Sequence, residues 1–437
     1  MFSRKHVVVV YPRPEFLKDA RFGYSVECLT LATLAKREGF ITEYFDFSIE
    51  ELHEALFLCV EKFLSDVVVI IYLDSVPLHR SSNVQHGLSL CDELKRRFHQ
   101  VKIIACGPWC MFNKSGCSGV DCTWHEEPER CFLRDFCGRD FNLSGESKLL
   151  PSIDDLPRPD RKLLPSLKNI ESRYHLQKSA VVQTTRGCRN CCYFCPRQAW
   201  TERLIRHRRQ EDCVDELSEL ADEGVRNVWI DDDNMGTDQS WSIDFFKRVE
   251  ERMHGRGKLG LYFSTDVNVD ASFFFHAQRA GGRIVSFGIE SASERVQRYF
   301  KKPISMQRIV QAVSAADAAG LFTVGNFIVG SPVETEEDLL ATKELIASIP
   351  LDVINVKILS IIQGSPLWNE LHCRGAVSGE TICEFACAQN GTSPHDLELL
   401  KKRQKALYEV FESTKGRHSR MAKKIIKLGP PYFITEA

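Results

Sequence analysis

The residue types that could do chemistry are concentrated in residues 184–196, Thr-Thr-Arg-Gly-Cys-Arg-Asn-Cys-Cys-Tyr-Phe-Cys-Pro. Cys188, Cys192 and Cys195 follow a C-x3-C-x2-C spacing on a tight loop after an apolar strand, Ala180–Thr184. Three thiolates so spaced can hold three irons of a [4Fe–4S] cube, whereas a closed cluster needs four protein ligands. The fourth corner is then open to a small molecule. Zinc is the competing reading, but it prefers four ligands, commonly as two close cysteine pairs, and no matching second pair follows at the usual distance. Cys191 stands beside Cys192 and could replace it as a ligand.

An open iron corner is what a radical S-adenosylmethionine (radical SAM) enzyme requires, and the loop resembles that superfamily, including the aromatic pair Tyr193 and Phe194 before the last cysteine. The resemblance implies that the amino and carboxylate groups of SAM chelate the open iron. Reduction of the sulfonium would then release a 5′-deoxyadenosyl radical. It also implies a set of SAM contacts. Asp231, Asp232 and Asp233 stand where the family binds the methionyl ammonium, and one of the three is expected to cap the next helix, since aspartate favours that position. Glu290, with Ser291, stands at the ribose position. Gly325 and Gly330 stand at the adenine-side glycine motif, where a missing Cβ permits close approach. Ser264, with Thr265 and Asp266, is placed near the SAM carboxylate or the substrate. The arginine that the family often carries near that point is absent. Gln363-Gly-Ser-Pro366 stands where relatives carry Pro-Gly-Thr-Pro.

The elements that must position these residues alternate between strand and helix. Residues 180–371 offer six strands, at Ala180–Thr184, Asn227–Ile230, Gly260–Ser264, Arg283–Gly288, Thr323–Val329 and Val353–Leu359. Helices are expected between them at Asp212–Glu223, Ile243–His254, Ala271–Ala280, Met306–Ala319 and Glu336–Ile349. Chemistry in βα barrels collects at the carboxyl ends of the strands, where every candidate above falls. The resemblance makes this a partial (β/α)6 radical SAM barrel.

Residues 1 to about 138 show the same α/β alternation, which implies a doubly wound parallel sheet. Strands are expected at His6–Tyr11, Ile41–Phe47, Asp66–Tyr72, Val101–Cys106 and Val120–Trp124. The domain division is therefore 1–140, a Pro-rich linker 141–173, the core 174–375, and a helical C-terminal region 376–437. The layout resembles the cobalamin-binding-domain branch of the superfamily, with Cys106-Gly-Pro-Trp109 standing for its Gly-Gly-x-His and His125-Glu-Glu-Pro128 for its Gly-Glu-Gly-Glu. No Asp-x-His-x-x-Gly supplies a lower cobalt ligand. Cobalamin is thus one of two readings. The first is cobalamin-dependent methylation of a small biosynthetic substrate, as in antibiotic pathways. The second is a cobalamin-independent radical dehydratase, dehydrogenase or cyclase, for which His207, His276 and Asp266 are acid–base candidates with none singled out. A tRNA- or protein-modifying enzyme would carry an additional basic domain, and a redox-sensing cluster protein would leave Asp231–Asn234 and Glu290 unexplained.

Composition bounds the rest. The chain has 437 residues, 43% hydrophobic and 27% charged, with a net charge of −2, which gives no general attraction to nucleic acid or anionic membranes. No apolar run approaches the ~18 residues of a membrane span. Seventeen cysteines without an export signal are expected in a reducing cytoplasm. The partners implied are a small-molecule substrate and a low-potential electron donor, flavodoxin or ferredoxin. The scattered Cys106, Cys110, Cys117, Cys122, Cys131 and Cys137 read as free thiols. Cys383 and Cys387 read as packing residues on one helix face.

Overall fold

The computed structural model describes residues 6–15, 24–49, 51–75, 82–113, 118–139, 141, 147–164, 179–254, 259–302 and 304–428. Cys117, part of the Pro-rich linker and the Gly429-Pro-Pro431 stretch lie outside these. The chain divides into two compact units. One comprises residues 1–176 with 199–202 and 206–208; the other comprises 177–198, 203–205 and 209–437.

The first unit is a five-stranded parallel sheet in the order β2-β1-β3-β4-β5. Its strands are β1 (His6–Tyr11), β2 (Ile41–Asp46), β3 (Val67–Tyr72), β4 (Lys102–Cys106) and β5 (Cys122–Thr123). β1 and β3 are nearly unbroken Val/Ile runs, the composition of central strands covered on both faces. The helices between them are α1 (Val26–Arg37), α2 (His53–Phe63), α3 (Val84–Arg97), α4 (Pro108–Phe112) and α5 (Pro128–Cys137). Strand order reverses between β1 and β3, and ligands of such sheets bind at the carboxyl ends beside that switch. The fifth strand is shorter than expected, with Cys122 and Thr123 in register with β4 and the flanking Asp121 and Trp124 N–H groups donating to the Ile103 and Ala105 carbonyls at 2.9 Å.

The second unit is a six-stranded parallel sheet whose order follows the chain: β6 (Ser179–Val182), β7 (Asn227–Ile230), β8 (Gly260–Thr265), β9 (Gly282–Glu290), β10 (Phe322–Val329) and β11 (Val353–Ile358). The helices are α6 (Gln210–Asp222), α7 (Gln239–Met253), α8 (Ala271–Arg279), α9 (Glu294–Tyr299), α10 (Met306–Ala318) and α11 (Glu336–Ser348). Alternation assigns two faces. Val182, Ile230, Phe263, Phe287, Phe327 and Val356 belong to the apolar cluster shared with the helices. Their neighbours Trp229, Tyr262, Ser264, Ser286, Asn326 and Asn355 take the opposite face. That second face is polar and internally bonded: the Asn326 amide donates to Ser286 Oγ at 2.8 Å, and the Asn355 amide donates to Asn326 Oδ1 at 3.1 Å.

The C-terminal region departs from the helical expectation over its first part. Residues 360–362 and 383–385 pair as antiparallel strands β12 (Ser360–Ile362) and β13 (Cys383–Phe385). Helix resumes in α13 (Leu397–Ser413) and α14 (Arg417–Leu428), after the short α12 (Pro366–Cys373). Cys383 therefore lies in a strand and Cys387 caps a short 3₁₀ turn, so they share no helix face. α7 starts four residues before its expected position because the Asp238 carboxylate accepts from the Trp241 N–H at 3.1 Å.

Candidate functional site

The cysteine loop is fastened at its root by Asp232. This carboxylate is 1% exposed and accepts from the Thr184 N–H at 2.7 Å, the Thr185 N–H at 3.0 Å, the Thr185 hydroxyl at 2.9 Å and the Thr184 hydroxyl. Burial pushes its carboxyl up to about 6 against the pull of those four bonds. Asp233 accepts from the Gly187 N–H at 2.8 Å and pairs with Arg197. Gly187 itself has φ of 107°, and a Cβ there would meet the Leu204 carbonyl oxygen at 1.7 Å. Two of the three aspartates are therefore engaged with the loop. Asp231 remains half-buried at the end of β7, its N–H on the Val182 carbonyl at 2.8 Å. None of the three caps α7.

Asp266 reaches the loop from β8. It accepts from the Asn190 amide at 3.1 Å and from the Asn234 amide at 2.9 Å. Of the aromatic pair, Tyr193 is an anchor. Its N–H donates to the Phe300 carbonyl at 2.8 Å, its carbonyl accepts from the Leu367 N–H at 2.9 Å, its hydroxyl bonds Glu370, and its ring lies in a cluster with Phe300 and Trp368. Phe194 stays half-buried, edge-on to Phe300 at 5.2 Å.

The loop sets its three thiols within electrostatic reach of one another. Cys188 and Cys195 both act electrostatically on Cys192, as do Glu290 and Lys302. Burial pushes the thiol of Cys192 up to about 12 and that of Cys195 up to about 11; it also raises Cys188, against bonds from the Asn190 backbone and the Asn234 side chain. Among the described residues no three His, Cys, Asp or Glu side chains are disposed to grip a single metal ion.

Lys302 is the residue that sequence reasoning missed. Burial alone would lower its ammonium, yet Glu290 and Cys192 raise it above its ordinary value. It donates to Glu290 Oε1 at 2.7 Å and to the Gly288 carbonyl at 2.9 Å. A Cβ on Gly288 would meet Lys302 Nζ at 2.5 Å and Glu290 Oε1 at 2.7 Å, so the glycine makes room for the ion pair. A twelve-residue separation across a helix hid this partner. Its only sequence trace was the Lys301-Lys302-Pro303 string.

Other predicted contacts are placed elsewhere. Ser291 is 1% exposed and its hydroxyl accepts from the Ser293 N–H at 3.1 Å beside Thr342, a turn role. A Cβ on Gly325 would strike Leu351 and Phe327 at 2.9 Å, so this glycine faces the helix layer. Gly330 has φ of 97° and abuts Leu400 of α13. Ser264 is half-buried on the polar face. His276 lies on the outer α8, edge-on to Phe275 at 5.2 Å.

Residues 182–346, which hold the cysteine loop, the three aspartates, Glu290 and Lys302, match the family model of the Radical SAM superfamily. The chain carries a radical SAM domain. Such a domain implies a [4Fe–4S] cluster and SAM. An uncharacterised methyltransferase of Pyrococcus horikoshii is 31% identical over 222 residues, 50% of this chain and 47% of that one. Cytidylyl-2-hydroxyethylphosphonate methyltransferase of Streptomyces wedmorensis is 28% identical over 210 residues, 45% of this chain and 38% of its own. These matches span less than half the length of the relatives. Among solved structures, the radical SAM methyltransferase TsrM of Kitasatospora setae, with cobalamin and a [4Fe–4S] cluster bound, is similar with a TM-score of 0.63 at 16% identity, covering 85% of this chain and 75% of that one. The cobalamin-dependent SAM radical enzyme OxsB has a TM-score of 0.67 at 12% identity, covering 93% of this chain and 66% of that one. The radical SAM domain and the sheet before it thus share the fold of these two proteins.

A corrin on the first unit would be met by groups at the carboxyl edge of its sheet. At the carboxyl end of β3, Ser75 is 2% exposed and its hydroxyl has no partner among the described residues. After β4, Gly107 has φ of 101°, and a Cβ there would meet the Leu73 carbonyl oxygen at 2.6 Å. The glycine there serves the close approach of the Leu73 backbone, and the unpaired Ser75 hydroxyl beside the switch in strand order is the group that fits a ligand laid on that edge.

Proposed function

We propose that the protein is a cobalamin-dependent radical SAM methyltransferase acting on a small biosynthetic substrate. The observation that carries this reading is the grouping of Cys188, Cys192 and Cys195 with Glu290 and Lys302. When bound to three such cysteines, a [4Fe–4S] cluster supplies a low-potential electron to a sulfonium held at its open iron. The residues of the chain supply placement and charge. Lys302 offers the ammonium that pairs with the methionyl carboxylate, the role for which no arginine was found near β8. Asp231 accepts from the methionyl ammonium, and Glu290 accepts from the ribose hydroxyls. Charge-assisted bonds of this kind are the strong ones. The Ser286, Asn326 and Asn355 ladder presents donors and acceptors that favour a polar substrate. The electron donor is a low-potential flavodoxin or ferredoxin.

Cobalamin supplies a transferable methyl group when bound, and the Ser75 hydroxyl is the group that would meet it. Support comes from the fold shared with TsrM and OxsB. A second reading, a cobalamin-independent radical lyase or dehydrogenase, draws on Cys106 and Trp109, 0% and 5% exposed, which stand where the cobalamin-binding pattern has a glycine and a histidine.

The test is anaerobic reconstitution with and without hydroxocobalamin. The expected outcome is SAM cleavage to 5′-deoxyadenosine and a methylated product that forms only with the corrin. A product made at full rate without corrin selects the second reading. Zinc, or no metal, in the cysteine loop sinks both.

A further inference from the structure

We propose that Gln297 is a positioning residue for the ribose end of SAM, acting through Glu290. The inference rests on the reading above, in which Glu290 takes the sugar hydroxyls. β9 ends in an irregularity of register between Gly288 and Glu290. There Glu290 adopts φ of 65°, and the Ser291 N–H turns back to the Ile289 carbonyl at 2.9 Å. A positive φ closed by a bond two residues long is the strained kind of γ-turn. A non-glycine residue stays in such a conformation only where its surroundings over-determine it, and sites of this sort cluster at function.

Two side chains do the holding. Gln297, on α9, is 1% exposed. Its amide nitrogen donates to the Ile289 carbonyl at 2.6 Å and to the Ser291 carbonyl at 2.5 Å, the two carbonyls that flank Glu290. Only the amide nitrogen can donate, so two facing carbonyls settle how the group is turned. The amide oxygen has no partner among the described residues, which leaves the nitrogen contacts to orient the side chain. Lys302 grips the next carbonyl back, Gly288, and the Glu290 carboxylate itself. Lys302 thus sets where the carboxylate points, while Gln297 keeps the backbone beneath it in the turn. An apolar side chain of similar volume would fill the same space and supply neither bond.

The competing account is that Gln297 only packs α9 against the sheet. A double-mutant cycle on the reconstituted full chain separates the two, with SAM affinity read by equilibrium dialysis, iron content by analysis, and the thermal transition recorded alongside. Gln297→Met is expected to weaken SAM binding about tenfold, the size of coupling found between contacting residues, with iron content unchanged. Glu290→Gln weakens binding as well, and the double variant is expected to be no weaker than Glu290→Gln alone. The Gln297→Met effect should also shrink to near nothing with an SAM analogue lacking both ribose hydroxyls. Additive losses, or an equal loss with the deoxy analogue, would overturn the assignment. If Gln297→Met fails to fold, Gln297→Asn, which keeps the amide one methylene short, is carried through the same cycle. A wild-type chain that binds no SAM overturns the underlying reading and this inference together, whereas normal wild-type binding with an inert Gln297 overturns the inference alone.

Discussion

At the scale of single residues, the site is built from groups whose neighbours decide their role. Three adjacent aspartates look equivalent in sequence, yet Asp232 and Asp233 hold the cysteine loop while Asp231 ends a strand. Asp232→Ala would leave two backbone N–H groups, which meet Oδ1, and two threonine hydroxyls, which meet Oδ2, without their acceptor. Losing acceptors to buried donors costs about 1–3 kcal/mol for each group left unpaired, so a destabilisation of at least about 2–3 kcal/mol is expected in denaturant unfolding, with little change in β-sheet content by circular dichroism. The adjacent cysteines separate in the same way. Cys188 and Cys195 act electrostatically on Cys192, and the C-x3-C-x2-C spacing makes Cys192 the ligand between them and Cys191 a bystander. Cys192→Ala should therefore lose most bound iron and all SAM cleavage after anaerobic reconstitution, whereas Cys191→Ala should retain both. The reverse pattern would move the ligand to Cys191.

At the scale of elements, the helices after β9 and β10 do more than cover the sheet. α9 carries Gln297 to the turn at Glu290, and α11 is tied back to the same region through its first turn. Asp338 there completes a capping box with Thr335 and accepts from Ser293 at 2.5 Å. Burial alone would raise its carboxyl, but bonds from Ser293, the Thr335 N–H and Arg295 hold it down to about 2, below the ordinary 3.8. A carboxyl depressed in the folded state stabilises fully above its unfolded value and ceases to do so as pH falls through the folded one. The stability lead of the wild type over Asp338→Asn is therefore expected to be constant near neutrality and to close between about pH 4 and pH 2. Chemical denaturation at stepped pH reads it, and a lead that persists at pH 2 would exclude the charged carboxylate as its source.

At the scale of the whole molecule, two parallel sheets of different topology lie in one chain. The first reverses strand order between β1 and β3, which creates a ligand edge; the second runs in chain order, which places its loops in sequence around one rim. The full chain is expected to bind one corrin, with Ser75→Ala weakening it severalfold and leaving iron content untouched. Spectrophotometric titration with hydroxocobalamin checks this, and equal affinity in the variant would remove Ser75 from the site. No helix of the described residues is long and apolar enough to cross a membrane.

The radical SAM domain, its six strands and the parallel sheet before it were readable from sequence, because β6 through β11 are short apolar runs and the cysteine spacing is local. Those signals lie within a few residues of one another. Tertiary structure alone decided which aspartates fasten the cysteine loop, that Gly325 and Gly330 pack against Leu351 and Leu400, that Cys383 sits in a strand, and that Lys302 and Gln297 bond to Glu290 and the carbonyls beside it. Each of these depends on which face a strand turns inward or on what a helix brings back across many residues, and neither is written in the spacing of neighbours.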